Sequence, residues 1–303
     1  MSASTSNSTA SPADSTAAMF APVAAVEAYM QHFLDHRPFP TNLREAVRYA
    51  LLGGGKRLRP ILIVRCCEAV GGSLEQSLPA AAAMEMVHTF SLVHDDLPAM
   101  DDDDLRRGRP TLHIHTNEAM AILAGDAMMG LAFEMLVTRV TPAQTAAALV
   151  QELAVGTNDM IAGQVYDSLP DFADDVAPLT RLQTIHRNKT GALLRASCRM
   201  GAIAGGATPA QLQALTTFGE ALGLMFQIID DVLDVTQTAE QMGKRTGKDA
   251  DKGKLTYPGV LGLDKSRQEV DRLRVESHQA LSTLGPRAAH LAELCEFMAV
   301  RQK

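Results

Sequence analysis

The apolar positions of the chain repeat at helical spacing almost wherever they repeat at all. From Pro22 to Asp35 the residues Val23, Val26, Tyr29, Met30 and Phe33 fall near one face of a helix. Pro38 and Pro40 end that segment. A second helix is predicted over Leu43 to Leu52, stopping at Gly53-Gly54-Gly55. Longer Ala/Leu/Met-rich segments follow at about 75–96, 117–139, 142–168, 180–203, 209–235 and 288–301, broken at Gly71-Gly72, Pro178, Gly205-Gly206 and the loop from Gly243 to Pro258. Two starts carry a full signal, Thr141-Pro142-Ala143-Gln144 and Thr208-Pro209-Ala210-Gln211. In each, Thr can cap the helix, Pro suits its first position and Gln sits three after the cap. No sustained alternation of apolar and polar residues marks a strand. The pattern predicts an all-α protein in which residues 22–303 form one bundle behind a disordered Ser/Thr/Ala-rich tail, 1–21.

Composition agrees with helices: Ala, Leu and Met are plentiful, aromatics are few and Trp is absent, while 303 residues can bury a substantial core. A net charge of -7 argues against general nucleic-acid binding. The four cysteines, Cys66, Cys67, Cys198 and Cys295, match neither a zinc site nor a disulfide framework and read as reduced thiols. No apolar run approaches the ~18 residues of a membrane span. The first twenty residues carry no Lys or Arg and no apolar core, so neither a secretory signal nor a transit peptide fits, and a cytoplasmic protein is expected.

Charge changes the picture at two places. Between Leu92 and Thr111 the chain reads LVHDDLPAMDDDDLRRGRPT, with Asp95, Asp96, Asp101, Asp102, Asp103 and Asp104 inside ten residues and Arg106, Arg107 and Arg109 directly after. A solvated acidic turn is the default reading of such a run. Here, however, the apolar segment Met84 to Val93 leads straight into it, and a second group, Asp230, Asp231 and Asp234, interrupts another apolar run. Asp230 and Asp234 are four apart and share a helix face to which Gln227 adds an amide; like charges so placed destabilise a helix unless neutralised. Pro98 disfavours helix at Leu97, so the first helix ends there, and a loop can fold Asp101 back beside Asp95. Oxygen ligands without His or Cys favour Mg²⁺ or Ca²⁺, and the spacing of a calcium hand is missing. Mg²⁺ typically takes one or two carboxylates and completes its shell with water and phosphate. The segment GGGKRLRP, 53–60, is not a P-loop, because Arg57 follows Lys56 and Ala50 stands at the upstream Gly position; it remains a glycine turn presenting cations to an anion.

Six segments resemble, in order, the trans-isoprenyl diphosphate synthases. They are GGGKRLRP at 53–60, HTFSLVHDDLPAMDDDDLRRGRPT at 88–111, GQ at 163–164, KTGAL at 189–193, FQIIDDVLD at 226–234 and GKRTGKDADKGKLTYP at 243–258. The DDxxxxD spacing is similar to that of short-chain bacterial and plant-type members, the bacterial farnesyl type above all. The resemblance implies an all-α isoprenoid synthase bundle around a deep central cavity, usually a homodimer. It further implies Mg²⁺-assisted head-to-tail condensation of isopentenyl diphosphate with an allylic diphosphate such as dimethylallyl or geranyl diphosphate.

Carried over by position, the resemblance makes Asp95, Asp101 and Asp230 metal ligands, supported by Asp96, Asp231 and Asp234. Lys56, Arg59, His88 and Arg107 resemble the isopentenyl diphosphate site. Arg106, Lys189, Lys244 and Lys254 resemble contacts to the allylic diphosphate, and Thr190 and Gln227 groups beside the reacting carbons. His94 and His186 are left as structural residues, and Arg57 reads as a surface charge. In this family an aromatic residue at the position of Phe90, five before Asp95, goes with a C15 product and smaller residues with C20, which implies farnesyl diphosphate. A longer-chain synthase, a terpene cyclase, a metal-dependent phosphohydrolase and a non-catalytic partner subunit are the alternatives. The last usually loses one acidic motif, and both are intact here.

Overall fold

The computed structural model describes residues 17–236 and 254–300. Its helices in chain order begin with α1 (Val23–Asp35), α2 (Thr41–Leu51), α3 (Leu58–Ala69) and α4 (Leu74–Asp95). A two-residue antiparallel ladder follows, β1 (Leu105–Arg106) with β2 (Arg109–Pro110). Then come α5 (Leu112–His115), α6 (Glu118–Arg139), α7 (Ala143–Ser168) and α8 (Pro178–His186), a π-helical turn at Arg187–Gly191, α9 (Ala192–Ala204) and α10 (Pro209–Thr236). The chain ends with α11 (Tyr257–Leu261), α12 (Leu263–Ser282), a 3₁₀ turn at Gly285–Ala288 and α13 (Ala289–Ala299). The fold is all-α, as the periodicity predicts.

Local signals explain several boundaries. Ser73 caps α4 in a reciprocal pair, the Gln76 N–H donating to its Oγ at 3.4 Å and the Ser73 N–H to Gln76 Oε1 at 2.8 Å. Thr208 and Gln211 make the same pair ahead of α10, at 3.3 and 2.9 Å. Thr141 does not cap α7. Pro142 is extended there (ψ 168°) and stands one residue before the helix, without a side-chain cap.

Two helices escape the periodicity. In α3 every residue from Pro60 to Cys67 is buried, so there is no polar face to create a period. In α12 the buried stripe is only Ser266, Leu273, Ser277 and Leu281 among many charges. Within the segment expected as tail, residues 17–20 are helical, Met19 is buried, and its carbonyl accepts from Arg65 Nε at 3.2 Å. Residues 1–16 lie outside the described residues.

The core has two parts with α3 and α9 between them. Leu193, Ala196 and Met200 of α9 pack with α1, α2, α4, α6 and α7, whereas Leu194, Cys198 and Ala202 pack with α10, α12 and α13. Ile63 and Val64 of α3 join the first part, Leu62 and Cys66 the second. This shared wall places α4, which ends in the first acidic motif, and α10, which carries the second, both against α9.

The four cysteines are free and buried. By length and composition, Glu118–Arg139 and Pro209–Thr236 are apolar enough to cross a membrane, contrary to the reading of the sequence by uninterrupted runs. Ala, Leu, Ile and Met raise their mean hydropathy while isolated acids break the run. Both helices pack in the bundle, α6 against α4 and α10 against α9 and α12.

Candidate active site

The first acidic motif is built by the end of α4. The helix stops at Asp95, Asp96 caps it, and the Asp101 N–H donates to the Asp95 carbonyl at 2.8 Å. The turn through Pro98 therefore brings Asp101 back to Asp95, as the sequence predicts. Burial pushes the Asp95 carboxyl up to about 6; Lys189 opposes the shift, while Asp101 and Asp96 add to it. Asp96 points the other way. It is buried and held by Arg106, whose Nε lies 2.8 and 2.9 Å from its two oxygens and whose Nη2 lies 2.5 Å from Oδ1. The ladder β1–β2 turns at Arg107-Gly108, with Arg107 left-handed (φ 55°), which presents Arg106 to Asp96 and sends the Arg107 guanidinium to the Gly54 carbonyl.

That last contact joins the motif to the glycine turn. A cavity of 430 Å³ is lined by Lys56, Arg59, His88, Arg107 and Phe226, so the four cationic or imidazole groups assigned to one diphosphate meet in one place. Arg59 Nη1 lies 3.2 Å from His88 Nε2. Loss of hydration and the neighbouring Arg107 hold Arg59 down at about 10, against the pull of Glu85. The His88 ring, buried beside Arg59 and Arg107, is held well below its ordinary value and stays neutral. Arg57 is not a surface charge. Its side chain is fully buried, donating to Glu85 Oε1 at 2.7 Å, Glu27 Oε1 at 2.9 Å and the Leu51 carbonyl at 2.8 Å. It ties the turn into α1 and α4, leaving Lys56 and Arg59 to face the cavity.

A second cavity, of 760 Å³, adjoins the first and shares Arg59 and His88 as lining. Asp95, Lys189 and Thr190 also line it, with Phe90, Ser91, Ile122 and Met160. Lys189 and Thr190 stand on the π-helical turn Arg187–Gly191, where one residue too many per turn re-aims the side chains; the predicted helix 180–203 is interrupted there. Gly163 of α7 permits this, since a Cβ at that position would come within 2.1 Å of the Lys189 nitrogen. Asp167, on the next turn of α7, accepts Lys189 Nζ at 2.6 Å and Lys254 Nζ at 2.7 Å on the same oxygen. Burial raises the Asp167 carboxyl, but the two ammonium groups outweigh it and hold it below the usual range.

The second acidic motif lies within an unbroken helix. Gln227, Asp230 and Asp234 of α10 are half-buried. Asp231 is buried, and its Oδ2 accepts the Tyr257 N–H at 2.8 Å. His186 Nε2 lies 3.8 Å from the same oxygen and its ring stacks on Tyr257; burial holds His186 at about 4, so this is no ion pair at neutral pH. Lys244 lies outside the described residues.

Asp167 and Arg57 are the residues that sequence reasoning missed. Asp167 falls three after Gln164, one turn along α7, and that spacing was the available signal. Arg57 had none, because Glu85 and Glu27 reach it from other helices. For a divalent cation the residues fit: a desolvated carboxyl raised to about 6, beside a second acid, gains from a positive charge. Among the described residues no three His, Cys, Asp or Glu side chains close into a cage.

An all-α bundle that brings Asp95, Arg59, His88 and Lys189 to one cavity, and Lys56 and Arg107 to an adjoining one, has the make-up of a prenyl-transferring enzyme of isoprenoid biosynthesis. The polyprenyl synthetase profile matches residues 40–284, and the chain belongs to that family. It is 46% identical over 270 residues to geranylgeranyl pyrophosphate synthase 11, chloroplastic, of Arabidopsis thaliana, covering 86% of this chain and 75% of the relative. A Catharanthus roseus geranylgeranyl pyrophosphate synthase is 45% identical over 267 residues, covering 86% and 74%. Among solved structures, a geranyltransferase from Legionella pneumophila superposes with a TM-score of 0.84 at 32% identity, covering 96% of this chain and 98% of its own. A putative farnesyl-diphosphate synthase from Marinomonas sp. MED121 gives 0.80 at 37% identity, covering 93% and 97%.

Proposed function

We propose that this chain condenses isopentenyl diphosphate head-to-tail with dimethylallyl and then geranyl diphosphate, in the cytoplasm, to make chiefly farnesyl diphosphate. The observation that carries this reading is the pair of adjoining cavities with Arg59 and His88 in their common wall. Lys56, Arg59, His88 and Arg107 hold the diphosphate of the isopentenyl substrate in the smaller one. Lys189, which lines the larger cavity, and Lys254, which shares Asp167 with it, hold the allylic diphosphate there, and Lys244 and Arg106 are the further cations that the family resemblance assigns to it. Asp95, Asp101, Asp230 and Asp234 would hold Mg²⁺, which would supply positive charge to the departing diphosphate. Asp96 and Asp231, engaged by Arg106 and the Tyr257 N–H, act through orientation or through water.

In the reaction the allylic C–O bond breaks and its electron pair leaves with the diphosphate. The π pair of the isopentenyl alkene forms the new C–C bond, and a proton is lost to the departing diphosphate. Thr190 and Gln227 turn oxygens toward the developing positive charge. The two sites supply orientation, the larger part of what two bound substrates require.

Phe90 is the proposed floor. It is buried one turn before Asp95 and lines the larger cavity. A C20 product is the second reading, favoured by the names of the curated relatives. A product assay of the purified full chain with Mg²⁺, isopentenyl diphosphate and a series of allylic starters decides. C15 as main product supports the floor, C20 overturns it, and phosphate release without elongation overturns the prenyl-transfer reading. Absence of turnover by the isolated chain would make it a partner subunit; one relative is named a heterodimeric large subunit. We also propose a homodimer through α6 and α7, where Leu123, Val137 and Val155 are exposed outside the cavity lining; light scattering at the monomer mass would exclude it.

A further inference from the structure

The chemistry above does not use His94, which directly precedes Asp95, and its surroundings are closely determined. It stands four residues after Phe90 on α4, so the two side chains share a face. Their rings meet edge to face, with centroids 5.7 Å apart and planes at 78°. On its other side His94 Nε2 lies 3.2 Å from the Ile122 carbonyl of α6, which as an acceptor requires the ring proton on that nitrogen. One turn further along α6 is Gly125. A Cβ there would lie 2.1 Å from His94 Nε2, 2.6 Å from Cδ2 and 2.9 Å from Cε1, so the imidazole rests directly on the bare helix backbone. Phe90, His94 and Ile122 all line the 760 Å³ cavity beneath Asp95.

We infer that His94, seated on Gly125 and the Ile122 carbonyl, is a specificity-determining residue that fixes product length by holding the Phe90 ring across the cavity floor. The inference rests on the reading of Phe90 as that floor. An aromatic side chain at the edge of a large cavity can leave its rotamer when the neighbour that blocks the alternative is gone. His94 is that neighbour, and it cannot retreat, because α6 lies behind it. The same seat makes the effect directional. Removing the imidazole gives Phe90 room to swing out of the cavity, whereas adding a methyl group at position 125 drives the imidazole toward Phe90.

The test is the product distribution of the full-length enzyme, with Mg²⁺, isopentenyl diphosphate and geranyl diphosphate, compared at equal substrate conversion. His94→Ala is expected to raise the C20 share several-fold. Gly125→Ala is expected to shift products the other way when dimethylallyl diphosphate is the starter, with C10 accumulating. In Phe90→Ala/His94→Ala the distribution should equal that of Phe90→Ala alone, because His94 acts only through the ring. A His94→Ala enzyme that keeps the parental distribution while Phe90→Ala lengthens the product overturns the role of His94 and leaves the floor standing. Equal and additive lengthening in the double variant also overturns it, since His94 would then be a floor residue in its own right. If Phe90→Ala itself changes nothing, the floor reading has failed. Should His94→Ala be recovered unfolded by circular dichroism, folded Gly125→Ala decides alone, and an unchanged distribution there counts against the inference.

Discussion

The two acidic motifs carry the same residue type and solve the problem of its charge differently. In the first, the helix ends, and the loop after it returns Asp101 to Asp95 while the ladder returns Arg106 to Asp96. Everything needed lies within about a dozen residues. In the second, the helix runs on, and the partner of Asp231 is the backbone of Tyr257, 26 positions later, reached only after the chain has passed through 237–253. Each motif thus turns one carboxylate of its Asp-Asp pair into the protein, Asp96 to Arg106 and Asp231 to the Tyr257 N–H, while Asp95 lines the larger cavity and Asp230 stays half-buried. The first motif is self-contained, whereas the second depends on how the Lys254–Tyr257 segment returns. That segment also brings Lys254 to Asp167, so the same stretch that orients Asp231 places a cation at the rim.

The largest effects should come from the two carboxylates proposed to hold the metal. Asp95→Ala and Asp230→Ala are each expected to lower kcat by roughly 10³ or more, the scale of losing a transition-state charge contact, read in a steady-state assay with saturating Mg²⁺. Similar losses at both sites support a shared cavity, and near-normal turnover in either would break the symmetry of the comparison. The anchors should cost less activity and more stability. Arg106→Gln leaves a buried carboxylate without its charged donor, worth about 2 kcal/mol, and thermal melting should show it. Asp231→Ala should cost a similar amount, but with a signature at a distance: faster amide exchange at Tyr257, followed by mass spectrometry. If exchange at Tyr257 is unchanged, the second motif is as self-contained as the first.

Smaller again is Asp167→Asn, which should raise KM for the allylic diphosphate about tenfold, the scale of losing an outer positioning partner, with a lesser effect on KM for isopentenyl diphosphate. Equal changes for both substrates would remove Asp167 from the allylic side. The smallest expected signal is in pH. Asp95 is raised from 3.8 to about 6, so its protonated form is the favoured one in the fold. Its contribution to stability is present below the unfolded value and lost as pH rises through about 6. Without metal, the parent should therefore lose melting temperature relative to Asp95→Asn between about pH 4 and pH 7. Mg²⁺ affinity should run the opposite way, weakening as the pH falls below about 6, because the ligand must first lose its proton.

Much of the molecule is decided locally and is legible in the chain. Helix faces, the cap at Thr208, the end of the helix before Pro98 and the return of Asp101 follow from periodicity, side-chain donors and the steric reach of a proline. So does the pairing of Asp230 with Asp234 on one face. What local rules cannot show is which distant group meets a given charge. Arg57 reads as a surface cation until Glu27 and Glu85 enclose it, and Asp167 as an unremarkable helix acid until two lysines converge on it. Burial hides information too, since α3 is buried on every side from Pro60 to Cys67 and has no period to find. The tertiary structure alone decided how the Asp-Asp pairs divide. A carboxylate's partner is set by which backbone and which cation arrive within about 3 Å of it, and no spacing along the chain encodes a contact between residues 231 and 257.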